Sequence, residues 1–211
     1  MTTQAAMIAE ILDDTERGAG ETDAVRDKIA AAIRYYQPSR FWFNETRDVT
    51  FDTVPGQIDY PFPLGTPGAV FYKIDAAIVT QGTTNIDMGV EDYKVLEVLL
   101  DGNSTRSLPT VYAYIKKALR LYPAPDVIYP VRLTGHIRID PPADDSEADN
   151  PWFVDAYDLI MCRAKAQLYK HRWGDPNNAA LMTDAEIEAR DLLFSATADK
   201  TGTGVVRSTR Y

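Results

Sequence analysis

Residues 34–51 read RYYQPSRFWFNETRDVTF, and the fold turns on this stretch. It carries six aromatic side chains: Tyr35, Tyr36, Phe41, Trp42, Phe43 and Phe51. Upstream of it, Val25, Ile29, Ile33 and Tyr36 recur at helical spacing. Pro38 disfavours helical geometry at Gln37, so a helix is expected to stop there. After Thr46 the pattern changes to alternation, with Val49 and Phe51 on one face and Thr50 on the other. The stretch therefore reads as the joint between a helical part and a β part. Tyr35, Tyr36, Phe41, Trp42 and Phe43 are its candidate packing residues, each contributing about 1.5–3 kcal/mol if fully buried.

Outward from the joint toward the N-terminus, residues 3–14 form a short amphipathic helix with Met7, Ile8, Ile11 and Leu12 on one side. Gly18 and Gly20 break it, and Thr22 or Asp23 can cap the helix that leads into the joint. Outward toward the C-terminus the pattern is β. Residues 47–51 and 58–62 flank VPGQ, where Pro55 and Gly56 suit the two central positions of a type II turn, so a hairpin is expected. Residues 69–79 form the longest strand candidate, 81–85 a polar loop and 90–100 a short helix. Residues 109–115, 116–122 and 129–139 alternate and are joined by short turns, which predicts a three-stranded antiparallel meander.

Beyond the β part the helical pattern returns. Asn150 caps and Pro151 opens a helix that runs to about Trp173 and ends at Gly174-Asp175-Pro176. A last helix starts at Asn177 or Asn178 and ends near Ala196. The fold class is therefore α+β. The N- and C-terminal helices (1–46 and 150–196) form a helical bundle, and 47–149 form an inserted antiparallel β domain. Residues 197–211 form a flexible C-terminal arm, poor in apolar residues and rich in Thr, Gly and Ser.

The chain of 211 residues has no apolar run of the roughly 18 residues a membrane span needs. MTTQAAMIAEILDD lacks the basic region of a secretory signal, so synthesis in the cytoplasm is expected. Cys162 is the only cysteine, which leaves no intrachain disulfide and no cysteine-based zinc cage. His136 and His171 have no partner at motif spacing. There is no GxSxG, P-loop or dinucleotide fingerprint. No catalytic, cofactor-binding or metal residue is nominated. The acidic run 140–149 offers Asp144, Asp145, Glu147 and Asp149 as hard oxygen donors but lacks EF-hand spacing and glycine, so it reads as a solvated loop. Net charge is −9, which is unlike a protein that grips DNA phosphates. Residues 199–211 run against that charge, with Lys200, Arg207 and Arg210 facing only Asp199. An acidic body with a basic tail suggests a tail that docks on something else.

Three blocks carry a resemblance. They are IAAAIRYYQPSRFWFNETRDVTFDTVPGQIDYPFP (29–63), LPTVYAYIKKALRLYPAPDVIYPVRLTGHIRI (108–139) and the helix from Trp152 to Trp173. Together they resemble the bacteriophage head-to-tail adaptor proteins, also called connector or head-completion proteins, including the tail-tubular-A-like group. The resemblance implies a non-enzymatic virion protein at the head–tail junction that forms a dodecameric ring beneath the portal. Its implied partners are the portal, neighbouring adaptor subunits and a downstream tail or nozzle protein. Genome DNA would pass through the lumen without tight binding, and no membrane is involved. In related adaptors the C-terminal segment reaches the portal, which makes Arg207, Arg210 and Tyr211 the candidate portal-docking residues. Fifteen residues of arm span roughly 50 Å when extended. The alternative from another class is a carbohydrate- or receptor-binding tail component, with Tyr112, Tyr114 and Tyr129 of the β module stacking on a ligand.

Overall fold

A computed structural model describes residues 2–66, 68–101, 105–115 and 118–201. The helices are α1 (Gln4–Asp14), α2 (Thr22–Tyr36), α3 (Tyr93–Leu100), α4 (Pro151–Val154), α5 (Tyr157–Leu168) and α6 (Pro176–Thr201). The strands are β1 (Glu45–Asp52), β2 (Asp59–Pro61), β3 (Phe71–Gln81), β4 (Thr84–Asp87), β5 (Gly89–Val90), β6 (Val111–Ile115), β7 (Ala118–Tyr122) and β8 (Pro130–Ile137). The fold is α+β, as expected. The chain divides into two compact units: Met1–Phe43 with Ile139–Tyr211, and Asn44–Arg138.

The helical unit is built on the apolar spacings of its sequence. In α1, Met7, Ile8 and Ile11 are buried, and Thr3 caps it by accepting from the Ala6 N–H at 3.2 Å. In α2, Val25, Ile29, Ala32, Ile33 and Tyr36 are buried. Thr22 does not cap this helix. Its hydroxyl donates to the Ala19 carbonyl of the preceding short 3₁₀ turn. Gln37 keeps helical angles despite the following proline, and its N–H still reaches the Ile33 carbonyl at 2.9 Å. The Gln37 side chain explains this: its amide donates to the Ile139 carbonyl and its oxygen accepts from the Ile139 N–H. The helix stops one residue later, where Pro38 has no N–H to give.

The helix expected from Trp152 to Trp173 is interrupted. Asn150 caps α4, accepting from Trp152 N–H. The chain then leaves helical geometry at Ala156 before α5 begins. A π turn at Tyr169–Trp173 follows α5, and Gly174 ends it at φ +67°. This is the left-handed conformation that glycine adopts at little cost. Helix α6 begins at Pro176, with Asp175 accepting from the Asn178 N–H at 3.0 Å. It does not end at Ala196. Thr197 to Thr201 are helical, so the part of the expected arm at 197–201 is helix instead; residues 202–211 lie outside the described residues.

The second unit holds two four-stranded sheets, in the orders β1-β8-β3-β4 and β2-β7-β6-β5. Two expected pairings are overturned. The VPGQ turn forms, with Gly56 at φ +79° and Gln57 N–H on the Val54 carbonyl. Yet β2 pairs with β7 and not with β1. Strand β2 is only three residues long and includes Pro61, whereas β8 offers β1 an eight-residue partner. The longer ladder satisfies more backbone groups. The meander also fails at its third strand. The β6–β7 hairpin pairs from Val111↔Tyr122 to Ile115↔Ala118, but β8 crosses to the other sheet. Pro123, Pro125 and Pro130 lack donors, so the connection bonds sideways to the VPGQ turn. Gly56 N–H meets the Pro125 carbonyl at 2.7 Å, and Thr53 N–H the Tyr129 carbonyl at 2.9 Å. The loop expected at 81–85 is a tighter hairpin. Gln81 pairs with Thr84, and Gly82 turns at φ +60°.

Gly135 sits on β8 opposite a bulge in β3, where Ile74 pairs with Gly135 and Ala76 with Thr134. A Cβ there would lie 2.2 Å from the Lys73 carbonyl oxygen and 2.9 Å from Ile74 Cα. Both are backbone atoms in a central strand and cannot rotate away. Gly135→Ala is therefore expected to cost roughly 3 kcal/mol, the upper end for overpacking. Denaturant unfolding read by near-UV circular dichroism checks it. Gly68→Ala, whose Cβ would meet nothing closer than 3.6 Å, serves as the near-neutral comparison.

Candidate functional site

The aromatic turn after α2 folds back into the helical unit. Phe41 is fully buried. It stacks on Phe43 at 5.5 Å, meets Trp152 edge-on at 6.1 Å and reaches Phe194 of α6 at 5.2 Å. Phe43 meets Trp152 edge-on at 5.1 Å. These offset and edge contacts match the ring quadrupoles. Phe51 is the exception among the six aromatics. It belongs to the β unit, where it packs on Tyr60 at 5.1 Å.

Tyr36 is buried and donates its hydroxyl to the Glu186 carboxylate of α6. Arg163 of α5 reaches the same oxygen at 2.7 Å. Tyr35 is 59% exposed, and its ring covers the Arg163 guanidinium at 3.2 Å. One buried carboxylate thus ties α2, α5 and α6 together. Burial first, and then the bond to Glu186, hold the Tyr36 hydroxyl well above the usual phenol range.

Trp42 fixes the far end of α6. Its N–H donates to the Thr197 hydroxyl at 3.3 Å, and that hydroxyl donates in turn to the Leu193 carbonyl at 2.8 Å. The Lys200 ammonium lies 3.3 Å from the Trp42 ring centroid, a cation–π contact. Two groups of residues that the sequence kept apart, the aromatic joint and the start of the arm, therefore meet at Trp42. Arg207, Arg210 and Tyr211 lie outside the described residues.

Sequence reasoning missed Arg163 and Glu186, and it placed Thr197 and Lys200 in the arm and not in a contact with Trp42. One signal was available. Ala179, Glu186, Leu193 and Thr197 are buried at spacings of seven, seven and four, so the buried stripe of α6 runs past Ala196.

The acidic run is not simply solvated. Asp145 takes a bidentate contact from Arg26 at 2.6–3.0 Å, and its carbonyl accepts from Ala5 N–H at 2.9 Å. Asp144 accepts from both the N–H and the hydroxyl of Ser146 at 2.8 Å, which hold its carboxyl below the usual range. Among the described residues no group of three or more His, Cys, Asp or Glu could hold a metal ion. His136 is buried against Tyr72 at 5.2 Å, and His171 is exposed. Cys162 is partly buried in α5, which pushes its thiol up.

The three-tyrosine platform expected on the β module does not exist. Tyr112 and Tyr129 are buried at 2% and 6% exposure, and Tyr129 donates to Asp126 at 2.7 Å. Only Tyr114 presents its ring. The exposed apolar surface of that unit lies elsewhere. Helix α3 buries Leu96 alone and leaves Tyr93, Val95, Val98 and Leu99 outside. On α6, Leu181, Ile187, Leu192 and Phe194 are exposed. Apolar residues grouped on one face, unlike single scattered ones, suit contacts with other molecules. Among the described residues no helix is long and apolar enough to cross a membrane.

No curated protein matches the chain. The family model described as SU10 adaptor protein matches residues 2–208, nearly the whole length, including the aromatic turn, both sheets and α6. The chain therefore belongs to the SU10 adaptor protein family, in agreement with the head-to-tail adaptor resemblance of its sequence.

Proposed function

We propose that this protein is the head-to-tail adaptor of a tailed bacteriophage, made in the host cytoplasm and built into the virion as a dodecameric ring beneath the portal. The ring extends the DNA channel and gives the tail or nozzle its attachment surface. Its role is structural and not enzymatic. Neighbouring subunits meet through the exposed apolar faces of α3 and α6. The acidic balance of −9 lets the genome slide past without sticking. Residues 202–211, with Arg207, Arg210 and Tyr211, dock on the portal.

The observation that carries the docking claim is the clamp on the end of α6. Trp42 holds Thr197 and Lys200, so whatever follows Thr201 leaves from a fixed point. Residues 202–211 span about 35 Å if fully extended.

Mixing with the portal tests this. The full chain should join the portal ring, as read by size-exclusion chromatography with light scattering. A chain ending at Thr201 keeps the Trp42 clamp and should bind at least tenfold more weakly. A cut at Ala196 would confuse the result, because it also removes Thr197 and Lys200. Equal binding by both chains would remove the arm from docking. Binding by neither would end the portal reading.

A further inference from the structure

Two open grooves flank α6 in the helical unit. One, of about 340 Å³, has Tyr35, Ile187, Arg190 and Phe194 on its walls. The other, of about 280 Å³, lies beside the α4–α5 junction and is lined by Val154, Asp155, Asp158, Ala189, Leu192 and Ala196. Both carry exposed apolar side chains: Tyr35, Ile187 and Phe194 in the first, Val154 and Leu192 in the second. Apolar surface grouped in this way marks a contact site. The charges of the two grooves are opposite. In the first, Glu186 is already paired with Arg163. Arg190 gives two of its N–H groups to the Asp191 carboxylate of its own helix at 3.0 and 3.2 Å, and its fork holds further donors. The second groove has two carboxylates. Burial raises the Asp155 carboxyl above its usual range while Lys200 pulls it down, so a further cation beside it would be favoured.

The helical repeat puts these grooves on opposite sides of one element. At about 100° per residue, Ala189, Leu192 and Ala196 centre about 160° around the α6 axis from Ile187, Arg190 and Phe194. The buried side, with Glu186, Leu193 and Thr197, lies between them. Along the axis the two sets are almost level, their centres two residues or about 3 Å apart. A single partner across a two-fold axis cannot cover both sides. A copy that sets one side against the unlike side of the next passes the contact on, and a heterologous contact of this kind closes into a ring when its rotation allows.

We propose that the two sides of α6 are the complementary halves of one contact between copies of this chain. Ile187 and Phe194 of one subunit pack on Val154 and Leu192 of the next, and Arg190 pairs with the carboxylates of Asp155 and Asp158. Opposite charge selects the unlike face, because two like faces would set cation against cation or carboxylate against carboxylate. With neighbouring α6 helices side by side, the small offset along the axis keeps successive copies level, as a closed ring requires. The existence of a neighbour rests on the ring proposed above; the choice of faces rests on the grooves and their charges.

The test mixes two full-length variants, Ile187→Cys and Leu192→Cys, with and without the portal protein, and treats them with a short bismaleimide. The native chain, whose one cysteine is Cys162, sets the background. The mixture should give a cross-linked dimer at least tenfold above background on denaturing gels, while either variant alone stays near background. Equal cross-linking by one variant alone would mean contact between like faces and would overturn the proposal. Background cross-linking in a mixture that still oligomerises, as read by light scattering, would overturn it and leave the ring reading standing. No oligomer with or without the portal would end the ring reading and this pairing with it. Charge reversal is the second arm, run under the condition in which the native chain assembles. Arg190→Glu and Asp158→Lys should each weaken assembly at least tenfold with the helical circular dichroism unchanged, and the chain carrying both should recover most of it. A double variant as weak as the single ones would overturn the pairing of Arg190 with the acidic groove.

Discussion

Replacing Trp152 with alanine should destabilise the helical unit by about 4 kcal/mol, within the range for deleting a buried tryptophan. The side chain has no exposed surface. Among the described residues it is the one ring that meets both Phe41 and Phe43 edge-on, and such pairs add about 0.5–1.5 kcal/mol each beyond their buried area. Its indole N–H donates to the Ile139 carbonyl at 2.9 Å. That carbonyl also takes the Gln37 amide, so losing the indole does not leave it bare. The cavity and the lost ring contacts dominate the cost. Trp152→Phe keeps an aromatic face and should lose only about 1–2 kcal/mol. Chemical denaturation followed by far-UV circular dichroism measures both. If Trp152→Ala cost less than Trp152→Phe, or if either change were neutral, the aromatic cluster would not be the centre of this unit.

The elements of this fold were legible in the sequence because each rests on local periodicity. Met7, Ile8 and Ile11 define α1, Val25 to Tyr36 define α2, and the Asn150-Pro151 pair marks a helix start. Strand pairing was not legible. A period of two says which face a residue occupies and nothing about which strand lies beside it. The β1–β2 hairpin and the β6–β7–β8 meander were the nearest pairings in sequence, and backbone donors missing at prolines diverted both. Gly135 falls inside the alternating run 129–139 with no signal of its own, although its reason for being glycine is the Lys73 carbonyl across the ladder.

The same divide runs through the site. Tyr35 to Phe43 announced themselves by composition. Glu186 lies 150 residues from the tyrosine whose hydroxyl it accepts, and no local spacing joins them. Thr197 was assigned to the arm by its polarity, yet its position four residues after Leu193 continues a buried face. Short polar residues at a helix end resemble tail sequence until the packing surface is known.

Arg163→Ala should be the second large effect, a loss of about 3 kcal/mol, the lower end for breaking a buried ion pair. The Arg163 and Glu186 side chains are 17% and 10% exposed. Without Arg163 the carboxylate keeps only the Tyr36 hydroxyl and remains a largely buried charge. The stacked contact with the Tyr35 ring goes as well. Removing both charges together is a different matter. Arg163→Met with Glu186→Leu deletes the desolvation cost along with the attraction, so most of the lost stability should return. What should not return is the fixed seating of α6. Its buried side also relies on Ala179 and Leu193, which are small or slender contacts that a sliding helix could exchange for neighbours. Glu186, through Tyr36 and Arg163, and Thr197, through the Trp42 backbone N–H at 3.3 Å, are the groups on that side with directional partners, and the long bond at Thr197 is the weaker of the two. The double variant should therefore unfold near the native midpoint while hydrogen exchange rises over Leu193–Thr201 and portal binding weakens. Native exchange there, with stability restored, would mean that packing and the Thr197 bond position α6 and that the buried pair contributes nothing to where the arm departs.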